Sequence, residues 1–156
     1  MPIVTEHPPV KPITKHEFNA PLDMLERVAE LKKIPLPLAP VTLNFSEILG
    51  TWLNVDKDTR GIPRLEVTAS GAALSVHVFG ACTPTPCNWG VVPAKAFADN
   101  VCSNQAVGFF AEYKFNFKQT LIVGRLEFGA LFVETFDHFT DGSGRADYCS
   151  VYIMSK

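Results

Sequence analysis

The chain is predicted to be all-β: an eight-stranded antiparallel up-and-down barrel preceded by an amphipathic helix. Three observations carry that expectation. Strand-like segments recur at roughly ten-residue intervals from residue 50 to residue 154, separated by turn residues. Every connection between them is short, which favours sequential antiparallel pairing, and no helical crossover interrupts the series. The series opens at Leu49-Gly50-Thr51-Trp52-Leu53-Asn54-Val55, where a glycine permits a sharp bend and a tryptophan two residues later can plug one end of a closed sheet.

Residues 1–48 read as a proline-rich arm and a helix, and residues 49–156 as the barrel domain. The first thirteen residues are proline-studded and without periodicity. Over about 20–33, Leu22, Leu25, Val28, Ala29 and Leu31 share one helical face, and Asp23, Glu26, Arg27 and Glu30 share the other. Lys32 and Lys33 stand at the negative end of that helix dipole. Ile34-Pro35-Leu36-Pro37-Leu38-Ala39-Pro40 cannot continue a helix and reads as a stiff connector. Asn44-Phe45-Ser46-Glu47 can cap one short turn before the first strand. The strands then follow at 50–55, 62–69, 73–80, 89–98, 107–117, 119–128, 130–139 and 145–154, an expected count of eight that suits a small closed barrel.

Alternation within the strands is incomplete. Phe109, Ala111, Tyr113, Phe115 and Phe117 oppose Phe110, Glu112, Lys114 and Asn116, whereas Leu121 and Val123 share a face with Arg125 and Glu127. Phe132, Glu134, Phe136 and His138 oppose Leu131, Val133, Thr135 and Asp137. Apolar residues on both faces point to self-association, with a homodimer as the simplest form, or to an exterior covered by the helix.

Hydrophobic residues make up 47% of the chain and charged ones 19%, against roughly 25% in an ordinary soluble domain, so material remains for a cavity or an interface beyond the core. A formal net charge of -2, with no clustered Lys/Arg stripe, argues against a nucleic-acid or acidic-membrane partner. No apolar run approaches the ~20 residues of a membrane span, and Met1–Val10 does not read as a secretory signal. The expected location is cytoplasmic, or secreted if a signal has been removed.

Cys82-Thr83-Pro84-Thr85-Pro86-Cys87-Asn88-Trp89-Gly90 is the most distinctive string. Its two cysteines can close a small disulfide ring, stay as thiols, or contribute to a metal site. A zinc site normally needs four ligands, for which Cys102, Cys149, His77 and His138 are what remains. The expectation is a Cys82–Cys87 pair or two thiols, no metal and no cofactor. An intracellular location argues against a stable disulfide, so the string and the missing signal pull in opposite directions.

Gly50-Thr51-Trp52 opening an all-β domain resembles the Gly-x-Trp signature of the calycins, the lipocalin and avidin barrels. Gly50–Asn54 is especially similar to the first strand of avidins, where Asn54 would match an asparagine that contacts ligand. The other polar contacts and the tryptophan set of a biotin site have no counterparts here, and Asn54 also reads as a strand-end side chain satisfying a loop. In lipocalins a basic residue late in the barrel packs over the signature tryptophan, and Arg145 or Arg125 is the expected equivalent. Residues 49–156 also resemble a group of bacterial β-domains of unassigned role. The matching positions are Gly50–Asn54, Asp56, Thr59–Ile62, Cys82, Pro84-Thr85, Cys87, Trp89-Gly90 and Asp141–Arg145. Thr83 stands where that group carries histidine and Asn88 where it carries aspartate, which weakens any ligating role inherited from it.

A calycin-like barrel implies a lumen that holds a small, largely apolar molecule, the leading expectation for function. Trp52, Asn54, Phe109, Tyr113, Phe132, Phe136 and Tyr148 are the candidate ligand-contact residues. If their faces turn inward, His77, Glu66, Arg64, His138, Glu134 and Tyr148 form a polar cluster able to do acid–base chemistry. If outward, they are solvated cross-strand pairs. The alternative function is therefore a cofactor-independent isomerase or cyclase acting on an apolar natural-product-like substrate. A third is a structural or interaction domain whose barrel is filled by its own side chains. Asp141-Gly142-Ser143-Gly144-Arg145 reads as a glycine turn with Asp141 and Arg145 pairing across it, since the spacing and closing glutamate of a calcium loop are absent.

Overall fold

Period-two burial closes the chain into a barrel. The computed structural model describes residues 41–156, and the expected helix over 20–33 lies outside them. Eight strands run in chain order: β1 (Gly50–Asn54), β2 (Arg64–Ser70), β3 (Ala73–Gly80), β4 (Cys87–Phe97), β5 (Gly108–Lys114), β6 (Lys118–Glu127), β7 (Ala130–Phe139) and β8 (Tyr148–Ser155). Each pairs antiparallel with the next, and β1 pairs with β8 at Leu53↔Ser155 and Asn54↔Met154 to close the cylinder. No helix occurs among the described residues.

Register follows from which alternate set is apolar, because a slip of one residue would turn every inward side chain out. Leu65 and Val67, Leu74, Val76 and Val78, Phe109, Ala111 and Tyr113, and Leu131 and Val133 face the lumen and are buried. Eight strands enclose a space that side chains fill. Where the Phe109 ring enters, the facing position is glycine: Phe109 pairs with Gly124, and a Cβ on Gly124 would lie 2.5 Å from the Phe109 ring. The packed interior continues upstream of β1. Asn44 bridges to Gln105, its Oδ1 accepts the Ser46 N–H at 3.0 Å, and Phe45 O accepts from Ile48 and Leu49 N–H in the expected short turn.

That turn and β1 stopper one end of the barrel. Trp52 and Ile48 are buried there beside Ala106, and the Trp52 Nε1–H donates to Ile48 O at 2.9 Å, so the indole's one polar group is satisfied. The cation over Trp52 is Lys156, whose Nζ lies 4.7 Å from the ring and donates to Glu47 O at 3.0 Å. This corrects the expectation of Arg145 or Arg125. The antiparallel pairing of Asn54 with Met154 and Leu53 with Ser155 brings the next residue, Lys156, beside Trp52, whereas Arg145 lies in the β7–β8 connection and Arg125 pairs with Glu127 at 2.6 Å.

Candidate functional site

The opposite end carries the inward polar side chains. There the ends of β5 and β7 meet the starts of β4, β6 and β8. Three of the inward rows finish in polar side chains instead of apolar ones. β6 begins its row with Lys118 and Thr120, β7 ends its row with Thr135 and Asp137, and Tyr148 of β8 stands opposite Asp137.

Asp137 is only 5% exposed, and a carboxylate so placed needs partners to remain charged. Lys118 Nζ lies 2.7 Å from Asp137 Oδ1, and the Thr120 hydroxyl donates to the same oxygen at 2.5 Å. Asp137 in turn acts on Tyr148. Burial first, then the Asp137 charge, then that of Tyr152 and a hydrogen bond to Asp137, push the Tyr148 hydroxyl above its ordinary pKa, while Arg145 pulls it down.

An aromatic wall flanks this pair. Trp89 meets Tyr113 and Phe115 edge-on, with centroids 5.5 and 5.3 Å apart, and Tyr113 stacks on Phe115 at 5.9 Å. Lys118 Nζ sits 5.3 Å from the Trp89 ring, 5.6 Å from Phe115 and 5.9 Å from Phe117, within the range of cation–π attraction. Gly80 makes room for Trp89, because a Cβ there would fall 2.6 Å from Trp89 Nε1. Cys82 and Cys87, bonded to each other with Cα atoms 5.3 Å apart, close the loop that delivers Trp89.

Tyr113 is a pillar of this wall, its hydroxyl spent on backbone groups. Its hydroxyl oxygen accepts from Val78 N–H at 3.2 Å, and its proton is shared between Val76 O and Gly90 O at 3.0 and 2.9 Å. Burial pushes the hydroxyl pKa up to about 12, against the smaller opposing effect of the Val78 bond. One side chain thereby ties β5 to β3 and to the stretch of β4 where the β3–β4 register shifts.

The candidate residues separate by face. Trp52, Asn54, Phe109 and Tyr113 point inward and are buried, Trp52 at the stoppered end. Asn54 is occupied with its loop, donating to Ile62 O at 2.9 Å and accepting Asp56 N–H at 2.9 Å. Tyr148 stands at the start of β8, at the end away from Trp52, half exposed. Phe132 and Phe136 share the outward row of β7 with Glu134 and His138, since Leu131, Val133, Thr135 and Asp137 take the inside. Arg64, Glu66 and His77 lie together, but outside. Glu66 is 3.6 Å from Arg64 and 3.8 Å from His77, His77 Nε2 is 2.7 Å from Asn88 Oδ1, and the Arg64 guanidinium lies over Phe79 at 3.8 Å. His138 pairs with Asp147 at 2.7 Å at another place on the surface. The inward polar cluster conditionally expected of these side chains does not form, because their apolar alternates Leu65, Val67, Val76 and Val78 fill the interior at far lower desolvation cost. The pair that does face inward, Lys118 with Asp137, was missed. Its sequence signal is a charged residue in phase with a buried row at the same end of two adjacent strands.

Asp141 and Arg145 pair as expected across the glycine turn, with Arg145 Nη2 donating to Asp141 Oδ2 at 2.5 Å. Among the described residues no three His, Cys, Asp or Glu side chains are grouped as metal ligands would be. No protein-family model, curated protein or solved structure matches the chain.

Proposed function

We propose that this calycin-like barrel binds a small, largely apolar molecule at its open end, seated against Trp89 and Phe115 with a polar oxygen directed at Lys118. The observation that carries the reading is the Lys118–Asp137 pair, nearly buried beside an aromatic wall at the end that Trp52 does not stopper. An ammonium has three donors, and Asp137 takes one of them. The others border aromatic faces that offer only weak acceptors, an arrangement suited to a ligand carbonyl or carboxylate. Such sites are mostly apolar with a few placed polar groups. Gly50-Thr51-Trp52, the turn before it and the cation over the indole support the calycin-like reading. The Cys82–Cys87 bond favours an oxidising compartment over the cytoplasm.

A second reading, the isomerase or cyclase, is favoured by one detail. The Tyr148 hydroxyl lies beside the Asp137 carboxylate, so the open end holds an acid, a base and a cation together. Catalysis there would use Lys118, Asp137 and Tyr148 in place of His77 and Glu66.

The test is incubation of the full chain with a small-molecule extract of its host, followed by mass spectrometry of what is retained. Carriage predicts unchanged retained molecules that are lost from Trp89→Ala and weakened roughly tenfold by Lys118→Met. Catalysis predicts a new isomer that disappears with Tyr148→Phe while the precursor is still retained. Retention indifferent to both Trp89→Ala and Lys118→Met would overturn the assignment of the open end.

A further inference from the structure

The outer face of the barrel is apolar on one side. Phe110 of β5, Leu121 of β6, Phe136 of β7, Val151 and Ile153 of β8 and Leu53 of β1 all point outward, and each is at least 41% exposed. Cross-strand register makes them continuous. Lys95, Phe110, Val123, Glu134 and Val151 form one row, Glu112, Leu121, Phe136 and Cys149 a second, and Arg125, Phe132 and Ile153 a third. Their exposed apolar surface is on the order of 600 Å², at the upper end for the largest patch of a monomer. With its polar rim it approaches the ~800 Å² per partner of a standard interface.

Charge selects the occupant. Glu134 sits in the first row between Val123 and Val151, and it makes no ion pair among the described residues. Covering it without a cation would be costly. Two cations lie in these rows: Lys95 stands at the far end of the first, three strands from Glu134, whereas Arg125 lies diagonally opposite Glu134, since Val123 pairs with Glu134 and Arg125 pairs with Phe132. In a face-to-face pair of copies, a two-fold axis lying along the Val123–Phe132 diagonal exchanges the Glu134 and Arg125 positions. We infer that this face is the interface of an isologous dimer in which Arg125 of each copy takes Glu134 of the partner subunit. Val123 and Phe132 then pack on their own equivalents. Arg125 already holds Glu127 at 2.6 Å, and a guanidinium has donors for a second carboxylate. A second copy thus supplies both the apolar area and the missing cation, as two-fold symmetry requires.

Charge exchange with sedimentation of the full chain tests this. Wild type should be dimeric at micromolar concentration. Glu134→Arg and Arg125→Glu should each weaken the dimer by about 100-fold or more, and the double exchange should restore it to within about tenfold of wild type. Alkylation of Cys149, a free exposed thiol in the second row, should slow as wild type is concentrated, with mass spectrometry resolving it from Cys102. That concentration dependence serves as the readout if a charge variant fails to fold. A monomeric wild type, charge variants as dimeric as wild type, or a double exchange that stays monomeric while folded would each overturn the inference. So would a Cys149 protected in a monomer, which would give the face to another occupant.

Discussion

The two ends of this barrel solve opposite problems. At one, Trp52, Ile48 and Ala106 pack without leaving a polar atom of the indole unpaired, and Lys156 lies over the ring from outside. At the other, the inward rows of β6 and β7 keep a charged pair, and Trp89 and Phe115 beside it are only partly buried. The first is what an interior becomes when hydrophobic burial alone decides it. The second retains groups whose desolvation is unfavourable, and such groups concentrate where a protein binds or reacts.

The comparison is most sharply broken at the stoppered end. Trp52→Ala should destabilise the fold by roughly 3–5 kcal/mol in a denaturant titration, as truncation of large buried aromatics does. A loss below about 1 kcal/mol would mean that the indole is not the stopper. At the open end, Asp137→Ala leaves Lys118 nearly buried without its counterion and should cost roughly 2–3 kcal/mol, reduced from a fully interior pair by residual exposure. Asp137→Ala together with Lys118→Met should recover much of that loss. If the double variant is no more stable than the single one, the pair is not the reason the carboxylate tolerates its position.

A smaller effect separates the ends by pH. The Tyr113 pKa is raised from 10.0 to about 12 in the fold, so the folded state holds this proton more tightly than the unfolded one. The resulting stability is complete below pH 10 and is lost as the pH rises towards about 12. Tyr113→Phe should remove that part of the alkaline decline and cost about 1–2 kcal/mol at neutral pH through its lost hydrogen bonds. Unfolding curves of both proteins between neutral and strongly alkaline pH give the difference, and parallel curves would count against it. Smallest of all, Lys156→Ala should lower stability by roughly 0.5–1 kcal/mol through the lost cation–π contact. A Tm unchanged by that substitution would reduce Lys156 to a bystander.

Much of the architecture was legible in the residues. Turn residues at regular spacing and short connections placed all eight strands within a few positions of where they lie, and Gly50-Thr51-Trp52 marked the stoppered end. β5 ends earlier than its hydrophobic run suggests, because Phe115 N–H turns back to Lys118 O at 2.8 Å and frees Phe115 and Phe117 for the turn. The candidate site was less legible. His77, Glu66 and Arg64 are indeed neighbours, but which way a strand faces depends on what its partners bury. In β7 the phenylalanines at 132 and 136 lost the interior to Val133, Thr135 and Asp137.

By itself, then, the sequence determined the class, the strand count and order, and the tight turns, because these depend on local periodicity and on residues with restricted or permissive backbones. Only the tertiary structure decided which alternate row entered the lumen, that Lys156 and not an arginine covers Trp52, and that Lys118 meets Asp137. Those outcomes depend on closing β1 against β8 and on the register of β6 with β7. Closure and register are properties of all eight strands at once, since each row's burial is settled by the volume and charge its neighbours have already placed inside.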